Sequence, residues 1–290
     1  VLWVCQFVTP HFSRGMLPLA AGMAVAPLTT NCLLGCAGVF LAATVLDAYA
    51  TKDGSGKLKV AGLWTLRAGW VLLTAMLAYQ GLHAHTLPIG STPELVLALG
   101  WGLTALTVFL DLTFDHRLPT WAIAATTTAC LVLAAVLGLP VTTPDVAAKP
   151  MIVLHVATAV LAYCVLGAQA LNSVAYLLQH RALAGRRFGG IYAFLPALVP
   201  LERVGGQLLG AAVWMLGLSL VIGAVDWSAD RSLVTLPKLA TASVAWLGAL
   251  FVAVQRRRER LLGPAFARAS LWLLLPALLA LWLSLPAARA

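Results

Sequence analysis

The sequence predicts an all-α fold, a polytopic bundle of about eight transmembrane helices with both termini on the periplasmic side. Of its 290 residues, 61% are hydrophobic and 10% are charged. Soluble domains carry about 45–50% apolar and about 25% charged residues, so this composition indicates a membrane protein. Two further observations support the bundle: the apolar residues cluster in runs of span length, and the basic residues cluster in alternate connections.

Eight apolar runs of about the length of a membrane span follow one another along the chain. They lie at residues 28–49, 62–82, 95–112, 121–139, 151–178, 208–226, 239–254 and 270–285. The connections are too short for a separately folded soluble domain, so we predict one integral membrane domain over residues 1–290. Residues 1–15 lack a clean signal-peptide cleavage region. Whether they are native stays open, and they carry no weight in the predicted fold.

The longest connection, between the fifth and sixth runs, is predicted to contain an interfacial helix over residues 191–203. Pro200 suits the first turn of a helix, and Glu202 suits its positive N-terminal end. Glu202 is expected to pair with Arg203 or with the Arg186-Arg187 loop.

The basic residues set the predicted orientation of the bundle. Lys and Arg outnumber Asp and Glu by 19 to 10, which gives a net charge of +9. The connections at 50–67, 111–120, 179–207 and 255–269 hold 14 of the 19. The other five are Arg14, Lys149, Arg231, Lys238 and Arg289. By the positive-inside rule the richer side is cytoplasmic, and the even number of spans places both termini outside. The charge therefore indicates contact with the lipid bilayer, and no nucleic-acid partner is expected.

The acidic residues argue against two classes of membrane protein. They lie in connections or close to span ends, with Asp47 and Asp111 near the cytoplasmic boundary and Asp226 near the outer one. An ion-coupled transporter is expected to bury carboxylates near mid-membrane, so that class is disfavoured. The sequence has no Gly-x-Ser-x-Gly elbow and no His-Glu-x-x-His zinc helix, and we expect no enzymatic activity.

The histidines carry the remaining chemistry. His83 and His85 follow the second span, and His155 lies in the first turns of the fifth, so all three are predicted at the outer boundary. His116 and His180 lie in cytoplasmic basic connections. Two neutral imidazoles from separate elements are what a haem iron accepts as axial ligands. From spacing alone, a haem site and an ordinary interfacial role both stay open.

Several motifs resemble one known family. Two of them lie at the two ends of the fifth span, a third precedes the sixth span, a fourth closes the sixth, and a fifth precedes the third. They are Leu154-His155-Val156, the stretch from Tyr176 to Arg181, the stretch from Leu195 to Arg203, Asp226-Trp227, and Leu87-Pro88-Ile89 with Thr92-Pro93-Glu94. In combination they resemble the cytochrome c assembly family, in its shorter HemX-like or inner-membrane YpjD-like branch, over most of residues 28–285.

The resemblance implies a non-covalent, b-type haem and a set of residues that hold it. His155 matches the family's outer histidine, His85 is the implied second axial ligand with His83 as its competitor, and Trp227 is placed to stack on the macrocycle. The haem propionates are assigned to Lys149, Arg231 and Lys238. The sequence departs from the family's pattern in one place, because the tryptophan-rich outer segment of its haem-transferring members is reduced here to a single tryptophan.

The function implied is haem handling in cytochrome c maturation at the inner membrane, with apocytochrome c or other maturation proteins as partners. Two alternatives stay open. One is a scaffold or regulator of tetrapyrrole biosynthesis without haem, acting through the connection around Glu202. The other is a small-molecule permease with a path lined by Gln169, Asn172 and Ser173, although such residues more often bond neighbouring helices.

Overall fold

The computed structural model describes residues 19–84, 91–113, 118–139, 150–186, 194–229 and 236–284. Within these ranges the chain forms nine α-helices and no β-strand. The helices are α1 (Leu19–Asp53), α2 (Gly56–Ala84), α3 (Thr92–Thr113), α4 (Thr120–Leu137), α5 (Pro150–Ala184), α6 (Leu198–Ala229), α7 (Leu236–Arg257), α8 (Gly263–Trp272) and α9 (Leu274–Ser284).

Eight segments of the described chain are helical, long and apolar enough to cross a membrane, which confirms the predicted all-α membrane bundle. Seven of them lie within single helices, and the eighth, Gly263–Leu283, is α8 and α9 together. The break at Leu273 follows from Pro276, because a proline ring clashes with the carbonyl four residues earlier, here that of Trp272. The side of the membrane on which the termini lie stays a prediction.

The helices extend beyond the apolar runs. The connection predicted at 50–67 is almost entirely helical, because α1 continues to Asp53 and α2 begins at Gly56. The turn between them uses Gly54, whose φ of 67° is a backbone conformation that glycine adopts without strain. Apolar runs mark the hydrocarbon depth of a span, whereas charged helix formers such as Lys52 continue the helix beyond it.

The predicted interfacial helix over residues 191–203 is wrong as a separate element. Residues 191–193 lie outside the described ranges, residues 194–197 contain no α-helix, and Leu198–Arg203 forms the first turns of α6 itself. Pro200 does lie in the first turn of a helix, as expected. The sequence pattern marked that start correctly but could not show that the same helix continues through the membrane.

The predicted ion pair of Glu202 with Arg203 or Arg186 is not formed in the described part of the chain. Within the described residues it forms no ion pair with Arg203 or Arg186, and Arg187 lies outside them. Its Oε1 instead accepts a hydrogen bond from the backbone N–H of Gly263 at 3.2 Å. The reason is that α6 carries Glu202 against the turn between α7 and α8.

The start of α3 confirms the predicted acidic helix start. The backbone N–H of Ser91 donates to Glu94 Oε2 at 2.9 Å, and the N–H of Glu94 faces Ser91 Oγ at 3.4 Å. This reciprocal arrangement is a capping box, which satisfies two backbone donors at the N-terminus.

Two large apolar cores and a smaller cluster around Tyr176 and Leu201 hold the helices together. The first lies among α1–α4, with Leu33, Phe40, Leu73, Leu97 and Leu131 among its most buried members. The second lies among α5–α9 and also takes side chains from α3 and α4, which join the two halves. Small residues bring helices close: a Cβ on Gly102 would lie 2.7 Å from the Sγ of Cys164. Such contacts replace the hydrophobic driving force that is missing between helices in lipid.

Helix ends gather at two opposite ends of the bundle. We call one the histidine end, formed by the ends of α2, α4 and α6 and the starts of α3, α5 and α7. The opposite end, which carries most of the Lys and Arg residues, is the basic end. The antiparallel pairing of α5 and α6 fixes both, since His155 contacts Ser219 at one end and Asn172 contacts Leu201 towards the other.

Candidate functional site

His155 lies in the second turn of α5, at the histidine end, with its side chain half-buried against α6. Its Nδ1 is 2.8 Å from the backbone carbonyl oxygen of Ser219 and 3.4 Å from the Oγ of the same residue. Among the described residues, α5 and α6 share the most extensive helix contact. The imidazole is therefore held between two packed helices and not on a loop.

The hydrogen bond determines which ring nitrogen of His155 is available to a ligand. A carbonyl oxygen only accepts, so Nδ1 carries the hydrogen and donates it to Ser219. The neutral ring then has its lone pair on Nε2. Histidines that bind metals usually donate their other ring N–H to a carbonyl or carboxylate in this way, because the bond fixes both tautomer and ring orientation.

Gly223 makes room for the imidazole. A Cβ at this position would lie 2.8 Å from Cε1 and 2.9 Å from Nδ1 of His155, closer than van der Waals contact allows. Gly223 lies one helical turn after Ser219, so one face of α6 supplies both the carbonyl and the space. The sequence analysis did not single out Ser219 or Gly223. The only sequence signal for them was that they lie four positions apart, in the span that follows the one carrying His155.

Trp227 lies one further turn along α6, four residues after Gly223, with a partly exposed side chain. Residues four apart share a helix face, so Trp227 lies on the face that receives His155, one turn nearer the end of the bundle. The structure thus brings the predicted ligand and the predicted stacking residue to the same helix pair.

The other predicted site residues are described only in part. His85, Lys149 and Arg231 lie outside the described residues. His83 belongs to the last turn of α2, at the histidine end, and nothing is described of its side chain. Lys238 is half-buried in the first turn of α7, also at the histidine end. The second axial ligand and the propionate partners stay predictions.

The donor set around His155 suits a metal that brings its own ligands. Within the described ranges there is no cluster of three or more His, Cys, Asp or Glu residues able to hold a metal ion. A structural zinc site needs about four such ligands from the protein. A haem iron takes four nitrogens from its macrocycle and needs only one or two from the chain, so a single oriented imidazole fits that group.

Two of the three polar residues of the permease alternative, Gln169 and Asn172, bond neighbouring helices, whereas the buried Ser173 hydroxyl has no hydrogen-bond partner among the described residues. Gln169 Nε2 donates to Ser270 Oγ of α8 at 3.1 Å, and Asn172 Nδ2 donates to the carbonyl of Leu201 on α6 at 2.8 Å. The exposed fractions of Gln169 and Asn172 are 1% and 2%. Both amides therefore form contacts between helices, as expected for polar residues inside a bundle.

Comparison with known proteins identifies the family to which this sequence belongs. The sequence model described as cytochrome C assembly protein matches residues 89–283, a range that includes His155, Gly223 and Trp227. Protein HemX of Brevibacillus brevis is 28% identical over 160 residues, which cover 54% of this chain and 58% of that protein. An uncharacterized 28.8 kDa protein of Azospirillum brasilense is 40% identical over 70 residues, covering 24% of this chain and 26% of that protein. The chain thus spans less than two thirds of the length of either relative, whereas the family match covers most of it. The chain belongs to the cytochrome c assembly protein family.

Proposed function

We propose that this protein binds haem at the periplasmic face of the inner membrane during cytochrome c maturation, with His155 as an axial ligand through Nε2. The observation that carries the proposal is the 2.8 Å contact between His155 Nδ1 and the Ser219 carbonyl. In the neutral imidazole that bond leaves the lone pair on Nε2, and the packed helix pair holds the ring in place. Family membership supports haem handling as the activity of the whole chain.

The residues of the site have separate roles in this proposal. Haem, when bound, supplies an iron that accepts an imidazole nitrogen. His155 provides that nitrogen, the Ser219 carbonyl orients the ring, and Gly223 keeps the ring position open. Trp227 supplies an aromatic face one turn further along α6. His85, with His83 as its alternative, is the proposed second ligand.

We propose that the protein acts as a binding protein and not as an enzyme, and that it passes haem to apocytochrome c or to another maturation protein. The neutral Ser219 carbonyl supports this assignment, because it orients the imidazole as a ligand without placing a charge beside it. Haem bound non-covalently through iron can be released to a partner when that bond is exchanged.

A visible spectrum of the purified protein tests the proposal. The wild type, His155→Ala, His85→Ala and His180→Ala are purified in mild detergent from haem-sufficient cells. His180 is the matched control, because it lies on α5 at the basic end, stacked on Tyr176 with ring centroids 6.3 Å apart. We expect a six-coordinate, bis-histidine spectrum in the wild type and His180→Ala and its loss in His155→Ala.

Two outcomes change the assignment. If His85→Ala keeps the wild-type spectrum, the second ligand is wrong while His155 stands. If the wild type stays colourless after haem is added, or His155→Ala keeps the full spectrum, haem ligation by His155 is refuted. A colourless protein would leave the scaffold interpretation as the better one.

A further inference from the structure

A cavity of about 410 Å³ opens at the basic end, at the opposite end of the bundle from His155. It lies among the end of α1, the start of α2, the start of α4 and the start of α6. Its volume falls within the range of small-molecule sites, about 300–1,000 Å³. Nothing in the proposed haem site uses it.

A buried carboxylate lines this cavity. Asp47 on α1 is 5% exposed, and its Oδ2 accepts a hydrogen bond from the Thr120 hydroxyl at the start of α4. Within the described residues Asp47 forms no ion pair. Burying a carboxylate away from water is costly unless a cation or several donors compensate it. Asp47 therefore favours a ligand that brings a positive charge with N–H donors.

Two cationic side chains line the same cavity. Lys59 on α2 is half-buried, and Arg203 on α6 is exposed at the rim. Neither forms an ion pair with a carboxylate of the described chain. Arginine and lysine together are a common pair for a phosphate, arginine by its two-pronged geometry and lysine as a point charge. The cavity thus offers one negative and two positive groups to a single ligand.

The remaining wall is fixed and largely apolar. The Trp121 indole N–H donates to the carbonyl of Phe194 at 2.8 Å, which ties the segment before α6 to the start of α4. Both residues line the cavity, with Leu63 and Val199 beside them. Val199 is 76% exposed, so this wall continues onto the outer surface of the bundle.

We propose that this cavity binds the headgroup of an aminophospholipid, with its primary ammonium at Asp47 and its phosphodiester between Lys59 and Arg203. The position favours a lipid over a soluble molecule, because the ends of membrane-spanning helices lie at headgroup depth. A primary ammonium has three N–H donors for the Asp47 carboxylate, whereas the quaternary amine of a choline headgroup has none. A lipid that carries only the phosphodiester would leave the Asp47 carboxylate without a cationic partner, bonded only to the Thr120 hydroxyl.

Lipid retention by the purified full chain tests the proposal. The protein in mild detergent receives equal amounts of phosphatidylethanolamine and phosphatidylcholine with the same acyl chains, and native mass spectrometry counts the retained lipids. We expect about tenfold preference for phosphatidylethanolamine, the ratio that corresponds to one charge-assisted hydrogen bond. On the wild type, retention should fall stepwise as the amine is mono-, di- and trimethylated. Equal retention of all four lipids would overturn the proposal.

Three variants separate the parts of the site. Asp47→Asn should remove the preference for the primary amine, because it keeps an acceptor for Thr120 but loses the charge. Arg203→Gln, at the exposed rim, should lower retention of both lipids alike. Arg257→Gln, exposed at the basic end but outside the cavity lining, is the control and should change neither. If Asp47→Asn does not fold, the methylation series and Arg203→Gln still decide, and an unchanged preference in a folded Asp47→Asn refutes the site.

A soluble competitor distinguishes the two possible sources of this chemistry. Glycerophosphoethanolamine, the headgroup without acyl chains, should displace the retained lipid only at large excess. If it binds while no lipid is retained, the ligand is a soluble zwitterion and the lipid assignment is wrong.

Discussion

A histidine at a membrane boundary has two ring nitrogens and free rotation about its side chain, so its usefulness as a ligand depends on what fixes it. In this protein the Ser219 carbonyl does so. It accepts from Nδ1 at 2.8 Å, which selects the tautomer with its lone pair on Nε2. Ser219 itself is 6% exposed, so water competes little for this bond. The entropy of ordering the ring is lost during folding and not during binding.

Gly223→Ala tests the space that the ring occupies. The new methyl group would lie 2.8 Å from Cε1 of His155, so the ring must rotate or α5 and α6 must separate. Either movement weakens the Nδ1 hydrogen bond, and we expect haem retention in detergent to fall about tenfold. A haem titration followed by visible absorption measures this change.

Two variants on the same helix serve as controls for Gly223→Ala. A Cβ on Gly210 meets nothing within 4 Å, so Gly210→Ala should leave haem retention unchanged and stabilise α6 slightly. Ser219→Ala keeps the backbone carbonyl and removes only the hydroxyl at 3.4 Å, so its effect should stay within about twofold. Loss of haem in Ser219→Ala with retention in Gly223→Ala would contradict the carbonyl as the orienting group.

At this scale the sequence indicated the candidate ligand but not the groups that hold it in place. His155 could be predicted because a histidine at a span boundary is unusual and its surrounding motif matches a family. The Ser219 carbonyl could not, since every residue has one and the choice depends on the register between α5 and α6. Gly223 could not either, because glycines in a membrane helix are common and only the packed structure shows which one a side chain fills.

Among the elements, the junction of α7 and α8 is joined to α6 by the Arg256 side chain, in addition to the hydrogen bond between Glu202 and Gly263. The Arg256 guanidinium donates to the carbonyl of Glu202 at 2.8 Å and lies 4.1 Å from the centre of the Phe266 ring. Gly206 leaves the space for it, since a Cβ there would lie 2.7 Å from Nε. A charged donor bond and a cation–π contact together join α6, α7 and α8.

Arg256→Ala should therefore destabilise the bundle, whereas Arg257→Ala, at the neighbouring position, should not. We expect a loss of about 2 kcal/mol in the free energy of unfolding, the order of one charged hydrogen bond with its aromatic contact. Arg257, which is exposed on the next position, is the matched control and Arg257→Ala should change stability by less than about 0.5 kcal/mol. Thermal unfolding in the same detergent compares the two, and equal melting temperatures would contradict a structural role for Arg256.

The number of spans was predictable because about 20 apolar residues in succession have few other uses. The ends of the helices were not, because helices continue past the hydrocarbon depth that an apolar run records. The start of α6 shows this limit most clearly. Pro200 marks a helix start, and the sequence is less apolar between Pro200 and the apolar run at 208–226. The helix nevertheless continues through this stretch without a break. The break at Leu273 had a visible cause in Pro276, within a run that reads as one span.

Considered as a whole, the molecule has two chemically different ends. The histidine end carries His155, Trp227 and few basic residues, and the basic end carries a cavity that presents Asp47, Lys59 and Arg203. Each proposed ligand thus belongs to one end, haem to the first and an aminophospholipid headgroup to the second. The two sites lie at opposite ends of the bundle, so variants at one should leave binding at the other unchanged unless the bundle itself is destabilised.

The orientation of the two ends in the membrane is the last prediction. The density of Lys and Arg places the basic end in the cytoplasm, because anionic headgroups and the insertion process retain positive charge there. Alkaline phosphatase fused after Ala290 should be active, since this enzyme needs the oxidising periplasm for its disulfides. The same reporter fused after Arg260, in the turn between α7 and α8, should be inactive.

A fluorescent protein that matures only in the cytoplasm gives the reciprocal measurement at the same two positions. It should fluoresce after Arg260 and stay dark after Ala290. If both reporters give the opposite result, the histidine end faces the cytoplasm, and haem ligated by His155 would then be on the side where tetrapyrroles are made and not where cytochromes c are assembled. The haem site would survive that result, but a role in receiving haem would replace the proposed role in delivering it.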